Sequence, residues 1–373
     1  MEEPLVSVLM PVRLEGSPDS LEYLSQSVSS ILKQTHRHLE FIIVDGSPDE
    51  HADSVLALEA QDRRIQVIRE ERRAASYGFI AHALDQGCRI AQGKYIARMD
   101  SDDLSLPNRI KCQVTHLEKH PNIGAVGTWA GVLLGGARSY KTLRVPTNPE
   151  LISWSLMFRN CIFHPTVTMR RDTVMSLGYY REMYTEDYDL WARMSFGSMV
   201  SNLPAVLLMY RTIQAEHKKH IQAEHKQNDF EIKKSMITRT LGFSPPEWHV
   251  RNLFNILDGG RVEEAEAKKA VAFIRDLYRA FERSHKPMSR MGEELVLRDV
   301  EAKALYLVAM AARNSISASI EVYTYARAFF PGIAVLPRVA LTRERLYAFL
   351  NRPLSRWPTI LGEYAHAAKW KSG

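Results

Sequence analysis

Four short apolar runs punctuate the N-terminal part of the chain: VSVLMPV (Val6–Val12), LEFIIVDGS (Leu39–Ser47), IQVIREE (Ile65–Glu71) and KYIARMD (Lys94–Asp100). Segments with helical spacing stand between them. In LEYLSQSVSSILKQ (Leu21–Gln34), Leu21, Leu24, Val28, Ile31 and Leu32 share one face, and SYGFIAHALDQGCRIAQG (Ser76–Gly93) closes near a glycine. A strand apolar on both sides must be covered on both sides, and crossover helices on a parallel sheet provide that cover. The alternation therefore predicts an α/β fold, a Rossmann-like and mostly parallel sheet flanked by helices. Ligands of such sheets bind beyond the carboxyl ends of the strands. Arg13, Asp45 and the acids from Asp100 to Asp103 all stand at those ends.

The pattern changes after Gly242. SPPEW (Ser244–Trp248) predicts a boundary between a catalytic domain, 1–243, and a helical accessory domain, 244–373. Ala270, Phe273, Ile274, Leu277 and Phe281 form one amphipathic stripe there, and Val296, Val300, Leu307, Val308 and Ala311 another. Just before the boundary, IQAEHKKH (Ile213–His220) is followed at once by IQAEHKQN (Ile221–Asn228), a tandem near-duplication. Its His217, His220 and His225 suit either metal ligation or a solvated helix face.

Composition is that of an ordinary globular protein, 45% apolar and 25% charged. Three scattered cysteines give neither a disulfide framework nor a thiolate zinc site, which fits a reducing, cytoplasmic setting. The N-terminal MEEPLVSVLMPV has acids where a secretory signal carries bases, and no apolar run is long enough to span a bilayer. Of the net charge of +6, +5 lies after Pro331, where seven Lys/Arg face two acids. Tyr347, Phe349, Trp357, Tyr364 and Trp370 interleave with those bases. Such a segment suits peripheral contact with an anionic membrane, or equally the solvated face of a packed helix. No nucleic-acid motif accompanies it.

Chemistry concentrates in YIARMDSDDLSLPNRI (Tyr95–Ile110), where Asp100, Asp102 and Asp103 crowd three carboxylates into four positions. Like charges this close repel unless a cation neutralises them. On extended chain Asp100 and Asp102 point to one side, and a hard cation such as Mg²⁺ or Mn²⁺ takes carboxylates plus substrate phosphates. A turn or a helix cap at Asp103 is the plainer alternative. Asp45 in VDGSPD is a nucleoside contact or a turn residue. In YTEDYDLWARM (Tyr184–Met194), Glu186, Asp187 and Asp189 open a helical pattern, where acids complement the helix dipole or serve as a general base.

Five motifs in order, VSVLMPV, SSILKQTHRHLEFIIVDGSPDE, GKYIARMDSDDLSLPNRI, HPTVTMRR and TEDYDLWARM with LPAVLLMYR, resemble family 2 inverting glycosyltransferases of the GT-A fold. The resemblance runs from Pro4 to Phe243 and is nearest to bacterial enzymes that extend lipooligosaccharide or other surface polysaccharides, including the β-1,3-N-acetylglucosaminyltransferase type. It implies a nucleotide-sugar donor, with UDP-GlcNAc the specific expectation, and a glycan or lipid-linked acceptor. Pro11 and Arg13 then fall in the first nucleotide-binding loop, and Asp45 contacts the base. Arg98, Asp100 and Ser101 stand near ribose and diphosphate. Asp102, with Asp100, binds Mn²⁺ or Mg²⁺. Asp187 is the base, with Glu186 beside it. His164, which recurs in the family pattern, suits the acceptor side or a buried place holding a loop, and Trp191 suits an acceptor platform or an ordinary buried helix face.

The chain departs from the family pattern at three places. Arg13-Leu14 replace the usual Tyr-Asn, Asp85 replaces an asparagine, and Ile213 stands where a histidine often follows the YR pair. His217 is the candidate to supply the missing metal ligand. Two other functions fit parts of the sequence. A sugar nucleotidyltransferase would carry a glycine-rich first loop, which PVRLEGSPDS does not. An inactive scaffold subunit has no need of both Asp102 and Asp187.

Overall fold

A computed structural model of the protein describes residues 3–14, 19–70, 79–134, 137–212, 222–312, 316–330 and 332. The chain divides into two compact units, Met1–Lys233 and Lys234–Gly373. The division falls inside the helix Gln222–Leu241, ahead of the expected boundary at 243/244, and the SPPEW turn lies within the second unit.

Nine strands occupy the described part of the first unit: β1 (Val6–Val12), β2 (Leu39–Asp45), β3 (Ile65–Arg69), β4 (Tyr95–Arg98), β5 (Leu104–Ser105), β6 (Ile123–Leu134), β7 (Ala137–Leu143), β8 (Thr168–Arg170) and β9 (Met199–Thr212). The helices interleaved with them are α1 (Ser20–Leu32), α2 (Asp49–Leu56), α3 (Phe79–Ile90), α4 (Arg109–Lys119), α5 (Pro149–Ser155), α6 (Arg171–Ser176) and α7 (Glu186–Met194). One sheet runs in the order β3-β2-β1-β4-β8-β6-β9-β5, with β7 paired to β6. From β3 to β4 it is parallel, as the alternation predicts. Beyond β4 it becomes mixed. Strand β8 runs antiparallel to β4 and β6, β6 and β9 are parallel, and β5 is antiparallel to β9.

Every residue of β1 is buried, because the strand sits between β2 and β4 and is covered on both faces. Val6, Val8, Met10 and Val12 join Leu24, Val28 and Ile31 of α1 in one core. Leu9 points to the other face, where α3 approaches so closely that a Cβ on Gly87 would fall 2.1 Å from Leu9 Cδ1. Each such aliphatic side chain contributes about 1.5–3 kcal/mol when removed from water. Pro11 lacks a ladder donor, yet it fits because β4 pairs only as far as Leu9. The Met99 N–H still reaches the Leu9 carbonyl at 3.0 Å, so the ladder delivers the chain directly to Asp100.

After α8 (Gln222–Leu241), the second unit contains α9 (Glu247–Leu257), α10 (Glu264–Ser284), α11 (Arg290–Ala312) and α12 (Ile316–Phe329). The expected stripes form its interior. Ala270, Ile274, Leu277 and Phe281 of α10 are buried, as are Val296, Val300, Leu307 and Ala311 of α11; Phe273 and Val308 are half-buried. No helix among the described residues is long and apolar enough to cross a membrane. The basic-aromatic segment after Gly332 and His217 of the duplication lie outside the described residues.

Candidate active site

Three carboxylates gather where β4 gives out. Oxygens of Asp100, Asp102 and Asp103 lie within 4.8 Å of one another. Asp103 is fully buried and the other two half-buried. Burial and then the charge of Asp100 push Asp102 up to about 6, and burial with both neighbouring acids holds Asp103 well above the usual carboxylate range. Ser101 stands between them, half-buried, and the Ser27 hydroxyl donates to the Asp100 carbonyl at 2.8 Å.

Asp103 is not a helix cap, since α4 begins at Arg109 with Asn108 in the cap position. Its Oδ1 accepts the Arg211 backbone N–H at 2.8 Å, and its Oδ2 is buried with no partner among the described residues. The Arg211 side chain avoids the carboxylates. Nε donates to the Asp102 carbonyl at 2.7 Å, Nη2 to Gln26 Oε1 at 2.9 Å, and the guanidinium lies 3.9 Å from the centre of the Tyr23 ring. Behind the cluster, the buried Gln34 amide donates to Ser105 Oγ at 3.0 Å and the Leu106 carbonyl at 2.9 Å, while its oxygen takes the Ile110 N–H at 3.2 Å. Arg109, also buried, donates to the carbonyls of Arg98 (3.0 Å) and Pro165 (2.8 Å). Crowded oxygens, one of them orphaned and none bonded by the Arg211 side chain, fit a hard divalent cation.

Arg98 joins this cluster to a second one. It is 4% exposed, its Nη2 lies 2.6 Å from Asp100 Oδ1, and its Nε and Nη1 are buried without a partner among the described residues. Burial opposes its charge, but Asp100 and the more distant Glu186 outweigh that and raise its pKa. Glu186 and Asp187 open α7, as the helical pattern predicts. Burial first, and then Asp187, push Glu186 up to about 8. Burial raises Asp187 too, opposed by the Tyr188 N–H (2.7 Å), the Asn160 amide (2.8 Å), Arg98 and His225. Asp189 is different. Arg193 and Arg181 take its oxygens at 2.7 and 3.2 Å, which makes it a structural ion-pair residue.

His164 is 7% exposed. Its Nε2 meets the Tyr180 hydroxyl at 2.9 Å and its Nδ1 lies 3.7 Å from Glu186. Burial and Arg98 hold it well below the ordinary histidine range, so it is a neutral ring behind Glu186 rather than part of an open acceptor surface. Of the two readings of Trp191, acceptor platform or buried helix face, burial selects the second. The ring is 0% exposed and packs edge-on to His164 at 5.8 Å, so it offers no face to a sugar.

At the same carboxyl edge of the parallel strands, on the side of β2 and β3, the register sets Val12 beside Asp45 and Asp45 beside Arg69. Asp45 is fully buried. Its Oδ1 accepts the Ser47 N–H at 2.8 Å and its Oδ2 pairs with Arg69 Nη1. Ser47 Oγ in turn accepts the Leu14 N–H at 2.9 Å, tying the first two strand ends together. Arg13 lies over the Phe79 ring, 5.8 Å from its centre. Phe79 itself covers Gly46, where a Cβ would come within 2.2 Å of the ring. Sequence pattern missed Arg69, Arg211 and Asn160, whose partners are distant in the chain. Arg69 leaves a faint signal, as the last residue of a half-buried strand facing Asp45.

A Rossmann-like sheet with acidic clusters at its carboxyl edge is the frame of a nucleotide-dependent transferase. Residues 7–182 match the family Glycosyl transferase family 2. The amylovoran biosynthesis glycosyltransferase AmsE of Erwinia amylovora is 32% identical over 211 residues, which cover 56% of this chain and 76% of AmsE. The O-antigen biosynthesis glycosyltransferase WbnJ of Escherichia coli is 29% identical over 243 residues, 64% of this chain and 91% of WbnJ. A crystal structure of S. aureus TarS 1–349 in complex with UDP-GlcNAc shares the fold with a TM-score of 0.50 at 16% identity, over 88% of this chain and 92% of that one. The chain belongs to glycosyl transferase family 2 and is a glycosyltransferase of the GT-A fold.

Proposed function

We propose that this enzyme transfers a hexose or N-acetylhexosamine, specifically N-acetylglucosamine from UDP-GlcNAc, to a hydroxyl of a glycan or glycolipid, with inversion, in bacterial surface polysaccharide or lipopolysaccharide synthesis. The observation that carries this proposal is one buried arginine shared by two acidic clusters: Arg98 pairs with Asp100, and its charge acts on Glu186 and Asp187. The names of AmsE and WbnJ, and the UDP-GlcNAc of the TarS complex, support the polysaccharide role and the donor.

In this scheme Pro11, Arg13 and Asp45 receive the nucleoside, and Arg98, Asp100 and Ser101 lie along ribose and diphosphate. Asp102 and Asp100 hold Mn²⁺ or Mg²⁺, and His217, outside the described residues, is the proposed histidine ligand. The bound cation supplies positive charge to the departing diphosphate. Arg98 adds a second positive charge that burial keeps unscreened. Asp187 accepts the proton of the acceptor hydroxyl, its carboxylate oriented by Asn160. A single displacement with the base opposite the leaving group inverts the anomeric centre. The basic-aromatic tail is proposed to dock the enzyme peripherally on the cytoplasmic leaflet, where a lipid-linked acceptor presents its sugar.

Nucleotide release from UDP-, GDP- and dTDP-sugars, with Mn²⁺ or with chelator, tests this. One donor should turn over, and chelator or Asp102→Ala should abolish turnover. Asp187→Asn should lower kcat by about 10²–10⁴-fold while nucleotide affinity persists. An Asp187→Asn enzyme as fast as the parent would remove the proposed base.

A further inference from the structure

We infer that Asn160 is the positioning residue of the base, and that its position requires an amide rather than a carboxylate of the same shape; the inference rests on the reading of Asp187 as the base.

Asn160 stands in the turns that follow α5. The helix ends at Ser155, and the N–H groups of Phe158 and Arg159 return to the Ser155 carbonyl at 2.9 and 3.0 Å. Next in the chain, Asn160 closes an Asx turn, its Oδ1 accepting the Ile162 N–H at 3.1 Å. That bond leaves the amide one orientation, with Nδ2 donating to Asp187 Oδ2 at 2.8 Å. A flipped amide would set donor against the Ile162 N–H and acceptor against the carboxylate. Aspartate would close the same turn, but it would bring a second negative charge to Asp187.

The turn itself is held from two elements. Tyr188, buried on α7, donates its hydroxyl to the Leu156 carbonyl at 2.6 Å. Asn202, buried on β9, donates to the carbonyls of Pro146 at 2.7 Å and Cys161 at 3.4 Å. Asp187 is therefore gripped on both oxygens, Oδ1 by the Tyr188 N–H at 2.7 Å and Oδ2 by Asn160. The first grip belongs to the backbone of α7, and the second depends on one side chain.

The titratable groups around Asp187 are Glu186 and Tyr188 on α7, Tyr180 ahead of it, Arg98 on β4 and His225 on α8. Burial raises the pKa of Asp187. The Tyr188 N–H opposes that most and the Asn160 amide next, ahead of Arg98 and His225. Among side chains, a neutral amide thus does most to keep the carboxylate ionised.

The pH dependence of kcat/KM for nucleotide release, with the donor that turns over and Mn²⁺, tests this. Asn160→Ala and Asn160→Asp should each move the acid limb up by about one pH unit or more, and the aspartate variant further. Below the limb that shift slows each variant by about tenfold or more. UDP affinity with Mn²⁺, measured by calorimetry, should stay within about twofold. Either variant carries the test if the other does not fold by circular dichroism. A purely structural role would lower the rate at every pH and leave the limb in place. That result, or an unchanged profile, would overturn the inference while a slow Asp187→Asn enzyme kept the base reading. An Asp187→Asn enzyme as fast as the parent, or a parent that turns over none of the UDP-, GDP- and dTDP-sugars, would overturn both.

Discussion

Arg98 holds Asp100 through Nη2, 2.6 Å from Oδ1, from a position where 4% of the residue meets solvent. A buried cation that acts on both acidic clusters tempers the ionisation of each. It favours the charged forms of Asp102, Glu186 and Asp187, all of which burial otherwise pushes toward the neutral acid.

Arg98→Met should therefore do more than lower turnover. With its charge gone, the pKa values of Glu186 and Asp187 rise further, and the acid limb of the kcat/KM profile moves to higher pH. A loss of about 10²-fold or more at pH 7 is expected, partly restored in Arg98→Lys. A pH–rate profile measures both, and an unmoved limb would disconnect Arg98 from the base.

Arg211→Met removes the 2.7 Å bond to the Asp102 carbonyl and the bond to Gln26, while the backbone N–H to Asp103 stays. A charged hydrogen bond of this kind is worth about 1.5–3 kcal/mol. Mn²⁺ affinity, measured by calorimetry, should fall about tenfold or more because the carboxylate-bearing turn loses its brace. Equal affinity would show that β4 and β5 suffice to shape the turn.

Glu186 gives a stability prediction with a definite sign. Folding raises its pKa to about 8, from about 4.3 in an unfolded chain. Between those values the unfolded chain ionises while the folded protein keeps its proton, so stability declines as pH rises through that window. Glu186→Gln cannot ionise and escapes the decline. Its melting temperature should match the parent near pH 4 and exceed it at pH 8, by the equivalent of about 2 kcal/mol or more. Parallel melting curves at the two pH values decide the matter.

Gln34 bonds Ser105, Leu106 and Ile110 from a position with no exposed surface. Gln34→Leu keeps the bulk and strands the Ile110 N–H, while the Leu106 carbonyl keeps its bond from the Arg109 N–H, at a cost of about 1–3 kcal/mol. Denaturant unfolding should show a lower midpoint with an unchanged slope.

The parallel half of the sheet is legible in the sequence because strands buried on both faces must be largely apolar, and VSVLMPV and LEFIIVD are. The positions of Asp45, Asp100 and Asp187 follow from strand ends and a helix start, which are local properties. What the sequence does not disclose is partnership. Nothing near Asp103 announces that a backbone N–H from β9 takes its oxygen, and so the residue reads as a cap. Trp191 suits a sugar platform as well as a buried helix face in the sequence, and the fold buries it completely. The mixed half of the sheet is hidden for the same reason. The pairing of β6 with β8 and β9 depends on segments far apart in the chain, and register between them leaves no short-range mark.

The bond between Arg211 and Asp103 closes a loop of 108 positions, and this has a consequence for the order in which the protein is made. Synthesis proceeds from the N-terminus, so all three aspartates leave the ribosome well before the strand that arranges them. A nascent chain that ends short of Arg211 has the acids without the brace, and the edge strand β5 without its partner β9. Contacts of such long separation form late. The four parallel strands are complete early, and the arrangement of the three carboxylates waits on the last strand of the sheet.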